Sequence, residues 1–417
     1  MRETRLLNLT RLGWGLALPV LFLSVVGLAC IHATERGGEP ATAGGAAPAE
    51  VSGAAARLVR LYDTVGPLTV KQVVFLATGV AIMLLVMRPS YHKVGRFAYV
   101  LYALGIVLLL LLVAGRALER LGLPGLPFVP VVRGTYRWFG YGGFKIQPSE
   151  FVKLALVLTL ARYLRFRSSY RRWPGLVTPF VLTLLPMFLI LFQPDLGTLL
   201  MLLPVLFAML FMAGARPRHL LAVIVVGCAT LPLFYQYGMK DYQRMRFQVL
   251  LKQSSPDEAW HMDQGFQLRQ AKTALGTGGL TGTGYGAGMF VQYDLLPEEH
   301  NDFIFAIIGH QWGLVGAVLV ILAYAAIVLF GLEVASATND PFGRLLAIGA
   351  VVMIVAQALL NIGMNVGLAP ITGMPLPFVS AGGSSLWANF LALGLLLNVA
   401  QRRPMLIAHP PFEYGDE

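Results

Sequence analysis

The sequence predicts an all-α polytopic membrane protein of about ten transmembrane helices, with a large extracytoplasmic loop between helices 7 and 8. Three observations carry this reading. Of 417 residues, 56% are hydrophobic and only 13% charged, with a mean hydropathy of +0.67, whereas soluble domains are roughly a quarter charged. Runs such as 12–31 and 97–115 approach the ~20 apolar residues that cross ~30 Å of hydrocarbon. Arginine and lysine gather in the short segments between such runs, as expected of cytoplasmic turns.

The spans follow in order. Arg2, Arg5 and Arg11 precede span one (12–31) and set the N-terminus in the cytoplasm. Residues 33–66, rich in Gly, Ala, Pro and Glu, form a low-complexity outer loop with too little apolar surface to order itself. Span two (69–87) leads to an inner turn with Arg88, His92, Lys93 and Arg96, and span three (97–115) to an outer segment with aromatics and glycines over 136–144. Span four begins at Gln147-Pro148-Ser149-Glu150, where proline suits a first helical turn and Ser149 or Glu150 complements free backbone N–H groups. It ends at Arg162, Arg165, Arg167, Arg171 and Arg172, the densest positive cluster. Gln193-Pro194-Asp195 separates spans five (175–192) and six (196–214) as an outer hairpin, and Arg216 and Arg218 mark the next inner turn. Span seven (219–236) opens the outer loop 237–301. Spans eight (303–330), nine (345–366) and ten (386–400) return Arg402 and Arg403 inside, so both termini are cytoplasmic.

Composition also narrows the function. Cys30 and Cys228 lie in apolar runs far apart and read as buried thiols rather than a disulfide framework. The net charge of +11 is scattered through loops, which fits a membrane surface better than nucleic acid.

Chemistry concentrates where ionisable residues meet apolar helices. Leu296-Pro297-Glu298-Glu299-His300-Asn301-Asp302-Phe303-Ile304-Phe305 runs directly into span eight. Apolar surroundings disfavour the ionised form of Asp302 and raise its proton affinity, which suits a general base. The outer loop holds Arg244, Arg246, Lys252, Arg269 and Lys272. They read either as a solvated face or as a site for an anion such as pyrophosphate, which arginine grips with paired donors. Seven glycines crowd 276–288 without a nucleotide fingerprint; a flexible or tightly turned backbone that admits a substrate is the better account. Glu150 and Lys153, three apart on one helix face, read as a structural ion pair or as functional polar residues. Asp195 reads as a cap as readily as a functional acid. His261, Asp263, Glu298, Glu299 and His300 are ligand types without zinc spacing.

Four segments together resemble the SEDS family (shape, elongation, division and sporulation), the RodA, FtsW and SpoVE proteins. They are Arg137-Trp138 with Gln147-Pro148-Ser149-Glu150, Gln193-Pro194-Asp195-Leu196-Gly197-Thr198, the 296–305 segment, and Pro375-Leu376-Pro377-Phe378-Val379-Ser380 with Gly382-Gly383-Ser384-Ser385. The resemblance implies a single SEDS-type membrane domain over 1–417, peptidoglycan glycosyltransferase activity on lipid II and lipid-pyrophosphate-linked glycan, and a class B penicillin-binding partner. It implies Asp302 as the catalytic residue. The motif's threonine is Asn301 here, its paired glutamates are His310-Gln311, its outer-loop serine is Ala271 and its tyrosine is Ala381. Ile371-Thr372-Gly373-Met374-Pro375 looks closer to RodA, a vote for cell elongation.

The chemistry this suggests is inverting glycosyl transfer, with Asp302 taking the proton of the acceptor hydroxyl. A pyrophosphate leaves without the second carboxylic acid that glycoside hydrolysis needs. Trp138, Arg244, Arg246, Arg269, Gln270, Lys272, Glu298, His300 and Ser384 are the candidate substrate-binding residues, with Trp138 stacking on a sugar or anchoring at the interface. A divalent cation, magnesium or manganese, is the one cofactor this chemistry could use. The rival readings are a flippase for lipid-linked precursors, with Glu150, Lys153 and Asp195 lining a polar path, a division-type paralogue, and a non-catalytic scaffold.

Overall fold

In hydrocarbon a backbone satisfies its N–H and C=O groups only within the protein, so each apolar run becomes a helix. The computed structural model describes residues 13–37 and 65–402, apart from 125, 133, 142–143, 168–170, 254, 256–259 and 261–264. The basic N-terminal segment, most of the 33–66 loop, His261, Asp263 and Arg403 therefore lie outside the described residues.

The helices are α1 (Trp14–Gly37), α2 (Pro67–Met87), the short α3 (Tyr91–Arg96), α4 (Ala98–Arg120), α5 (Pro148–Leu164), α6 (Trp173–Leu191), α7 (Leu196–Ala213) and α8 (Pro217–Leu233). They continue with α9 (Asp241–Leu251), α10 (Phe266–Thr277), α11 (Met289–Gln292), α12 (Ile304–Ser336), α13 (Pro341–Val366) and α14 (Gly383–Gln401). A small hairpin precedes α5, β1 (Phe139–Tyr141) antiparallel to β2 (Phe144–Ile146) with Phe139 opposite Ile146.

Among the described residues nine helices are long and apolar enough to cross a membrane: α1, α2, α4, α6, α7, α8 together with its π-helical continuation to Gly238, α12, α13 and α14. The tenth predicted span is α5, 17 residues long and carrying Glu150 and Lys153. It packs against α4, α7 and α13, so its charges face the bundle. The spans stop where the sequence puts caps. Asp195 accepts the Thr198 N–H at α7 (3.2 Å), and Asp340 accepts that of Gly343 at α13 (2.8 Å). Gly214 and Gly367 end the same two helices in left-handed conformation.

The described parts of two segments read as loops are ordered. Helix α1 continues to Gly37, and its Glu35 carboxylate accepts the N–H groups of Leu68 (2.6 Å) and Thr69 (2.9 Å) and the Thr69 hydroxyl (2.8 Å). It thereby caps α2 across the 38–64 segment. The 237–301 segment contains α9, α10 and α11. Its glycines have a structural reason, because a Cβ at Gly278 or Gly282 would strike the backbone of Gly309 or Gln311. Close approach here is to α12. That helix breaks at Gly313 (φ 63°, ψ −159°), and the loop replaces the lost bonds. Thr283 and Gly284 donate to the carbonyls of His310 (2.9 Å) and Gln311 (3.1 Å), while Leu314 and Val315 donate to those of Gly279 (2.9 Å) and Leu280 (3.2 Å).

At the centre of the bundle, Lys153 Nζ stands 2.9 Å from both Glu150 oxygens and 3.3 Å from Gln357 Oε1, with Lys153 1% and Glu150 3% exposed. Removing one partner strands the other charge, so Lys153→Met is expected to destabilise by about 3–5 kcal/mol. Glu150→Leu with Lys153→Met should recover most of that loss, as measured by thermal unfolding in detergent.

Candidate active site

The four sequence segments converge. Arg137 donates from Nε to the Gln193 carbonyl (2.7 Å) and from its guanidinium to that of Pro194, fixing the turn before α7. Asp195 Oδ2 accepts from Gln147 Nε2 (3.0 Å), Ser149 Oγ (3.3 Å) and Thr198 Oγ1 (2.9 Å). Asp195 is thus both a helix cap and the hub joining the second segment to the first. The Gln147 N–H donates to Ser384 Oγ (3.0 Å) at the start of α14. Ser380 Oγ donates to the Asn301 carbonyl (2.5 Å) and Ala381 N–H to that of His300 (2.9 Å), tying the fourth segment to the third. Gly197 lies against Met374 and Thr372.

Asp302 sits in a tight turn immediately before α12. The Glu298 carbonyl accepts the N–H groups of Asn301 (3.0 Å), Asp302 (3.1 Å) and Phe303 (3.3 Å). Glu298 itself holds a positive φ of 59° and accepts Asn301 Nδ2 on its carboxylate (2.9 Å). Asp294 and Phe378, beside the same turn in sequence and across from it, also take positive φ. Such backbone conformations, costly for residues with side chains, cluster at working sites. The Asp302 carbonyl receives two side-chain amides, Asn361 Nδ2 at 2.9 Å and Asn365 Nδ2 at 3.2 Å. Its side chain is half-buried and faces the 371–375 segment, where a Cβ on Gly373 would stand 3.4 Å from Oδ2.

Among the basic residues of this segment, the charge of Arg246 acts on Asp302. Its guanidinium donates to the Thr372 carbonyl (3.0 Å). Burial and the neighbouring Arg137 make it hold its proton less tightly than usual, and the carboxylates of Asp302 and Asp195 oppose this. Arg246 thus interacts with both acids, and Arg137 with Asp195. The other cations are engaged elsewhere: Arg244 donates to the carbonyls of Tyr235 (3.0 Å) and Gln236 (2.7 Å), and Lys272 to Gln253 Oε1 (3.0 Å). Arg269 is exposed on α10, with Gln270 beside it. Trp138 is half-buried just before β1. His310 and Gln311 are buried at the glycine loop, with His310 Nδ1 2.9 Å from Thr277 Oγ1.

Among the described residues no group of three or more His, Cys, Asp or Glu side chains is arranged to hold a metal ion. A divalent cation would need oxygens from the substrate to complete its shell. The sequence places Arg137 in a motif segment without indicating a role for it, and sequence reading missed Gln357, Asn361 and Asn365 as parts of the site. The last three recur every fourth residue in α13, apolar from Leu345 onward apart from them, an amide stripe on one helix face and the signal that could have found them.

With this geometry in view, the chain is similar to known proteins. The family model described as "Cell cycle protein" (FtsW, RodA and SpoVE) matches residues 51–404. The chain is 37% identical to the probable peptidoglycan glycosyltransferase FtsW of Geobacter metallireducens, over 80% of this chain and 84% of that protein. It is 33% identical to the peptidoglycan glycosyltransferase RodA of Treponema pallidum, over 80% of this chain and 89% of that one. A chain of the structure described as "Structural coordination of polymerization and crosslinking by a peptidoglycan synthase complex" superposes with a TM-score of 0.71 at 27% identity, covering 94% of this chain and 98% of that one.

Glu299, three residues before Asp302, is 3% exposed, and its Oε2 has no hydrogen-bond partner among the described residues. Burial, helped by Asp294, pushes its carboxyl up to about 8 from an ordinary 4.5. Between those values the unfolded chain has released the proton and the folded one keeps it. Its contribution to stability is therefore complete below about pH 4.5 and lost as pH rises through about 8. The gain in melting temperature of Glu299→Gln over wild type should widen as pH rises across this window. Gly373→Ala puts a side chain at φ 72° beside Asp302 Oδ2. It should cost about 1 kcal/mol or more of stability and depress turnover more than substrate binding.

Proposed function

The chain belongs to the FtsW/RodA/SpoVE family and is a multi-pass membrane peptidoglycan glycosyltransferase, and from that premise we propose that it polymerises lipid II with Asp302 as general base. The observation that supports this most is the Asp302 turn itself. A half-buried carboxylate is fixed by its backbone in front of the 371–375 wall, within reach of the Arg246 charge.

In this reading Asp302 takes the proton of the acceptor sugar's 4-hydroxyl. The hydroxyl oxygen bonds to the anomeric carbon of the lipid-linked donor with inversion, while the bond from that carbon to the pyrophosphate breaks and the pyrophosphate leaves with its electron pair. Arg246, with Arg137 behind it, offsets the leaving charge. A divalent cation, if bound, would supply further charge neutralisation at the phosphates. Trp138, Gln270, Glu298, His300 and Ser384 remain proposed contacts for the sugars and peptides.

The reaction belongs on the outer face of the bacterial cytoplasmic membrane, with both termini inside. That orientation rests on the basic residues at one set of helix ends. A crosslinking partner, of the class B penicillin-binding type, is proposed because the similar chain comes from a complex that coordinates polymerization with crosslinking. The cell-elongation role rests on Ile371-Thr372-Gly373-Met374-Pro375 alone, since relatives named FtsW and RodA are both similar.

Purified protein given lipid II should make glycan, and Asp302→Asn should lower the rate by about 10²–10⁴-fold without loss of folded protein. Normal polymerisation by Asp302→Asn and Asp302→Ala would sink the assignment. Movement of labelled lipid between leaflets without glycan would favour a flippase.

A further inference from the structure

Resting on the reading of Asp302 as the base, we infer that Asn361 and Asn365 are positioning residues for this reaction, holding Asp302 out of α12 and at a set distance from the wall it faces. Both lie one turn apart on α13 and are 0% exposed. Asn361 Nδ2 donates to the carbonyls of Asp302 (2.9 Å) and Met374 (2.7 Å), bridging the base's turn to the opposite wall. Asn365 Nδ2 donates to the Asp302 carbonyl (3.2 Å), and its Oδ1 accepts the Ala306 N–H (3.2 Å). Four residues nearer the N-terminus of α13, Gln357 Nε2 donates to the Pro375 carbonyl (2.8 Å). A single helix stripe therefore templates both the Asp302 turn and the segment facing it, whose Thr372 carbonyl holds Arg246.

The bonds to Asp302 do more than satisfy a carbonyl. In a continuous helix the Ala306 N–H would donate to the Asp302 carbonyl, four residues back. Here that N–H goes to Asn365 and to the Phe303 carbonyl (3.0 Å), and both acceptor positions of the Asp302 carbonyl are occupied by the two asparagines. The clamp keeps α12 from growing backward through Asp302, a change that would rotate the carboxylate away from Gly373 and Arg246. Misplacement of a reacting group by about 1 Å can cost 10²-fold in rate.

The test uses the full-length chain in lipid nanodiscs with lipid II as the probe, comparing Asn361→Leu, Asn365→Leu and Asp302→Ala with wild type. For Asn361→Leu, kcat should fall roughly 10- to 100-fold with KM within about twofold. Asn365→Leu, which removes the longer bond, should lose less. The acid limb of the kcat profile should move to higher pH in both, because a carboxylate farther from Arg246 takes a proton more readily; a purely structural role would leave that limb in place. Wild-type kcat and an unmoved limb in both variants, beside an inactive Asp302→Ala, would overturn the clamp and leave the base assignment intact. A fully active Asp302→Ala would overturn the base assignment itself. If both leucine variants lose lipid II binding and a monodisperse elution profile together with turnover, the asparagines are structural and the inference is wrong.

Discussion

Inside an apolar bundle, a backbone N–H or C=O that leaves the helical ladder must find another partner within the protein, and the irregular parts of this molecule are built around that requirement. The break at Gly313 is possible because the glycine loop docks edge-on and trades four bonds with α12. The Asp302 turn is possible because one carbonyl, that of Glu298, gathers three N–H groups and two asparagines cap the other side. The 374–381 segment is held by Gln357, Asn361, Ser380 and Gln72. Each of these three stretches is therefore held in place by the same bonds that allow it to exist.

That rigidity serves electrostatics. Asp195 is fully engaged in capping and in tying the first two segments together, so its charge is a fixed part of the scaffold. Asp302 has its backbone fixed and its carboxylate turned toward the cleft. Arg137 and Arg246 stand among these acids, Arg137 bonded to the 193–194 turn and Arg246 to the 371–375 wall. On the proposed reading, a charged substrate here would meet oriented groups that need little rearrangement, the condition under which electrostatic stabilisation is most effective.

The spans were legible because hydrophobic run length and capping chemistry are local properties. Asp195 and Pro148 mark helix starts that the structure keeps, and even α5, with two charges in its first turns, is found where expected. Asp302 stood out as an acid against a run of Phe and Ile. The rest was not legible, for a physical reason. The partners of Asp302 lie 59 and 63 residues away on α13, and no local pattern reveals which carbonyl a buried amide will serve. The basic residues of the 237–301 segment looked equivalent in sequence, yet the turn of α9 brings Arg246 to the Thr372 carbonyl and Arg244 to those of Tyr235 and Gln236, just past α8. The glycines signalled close approach correctly, but the neighbour is α12.

The Glu35 clasp on α2 has a consequence for how the molecule tolerates change. Because the carboxylate joins the two helices at the base of the 38–64 segment, the ends of that segment are held together whatever lies between them. The entropy of closing such a loop grows only with the logarithm of its length. Insertions, deletions or a fused reporter between residues 38 and 64 should thus be nearly invisible to the bundle, while a single change at Glu35 would be felt there. Length variation in this part of the chain is the form of divergence the architecture leaves open.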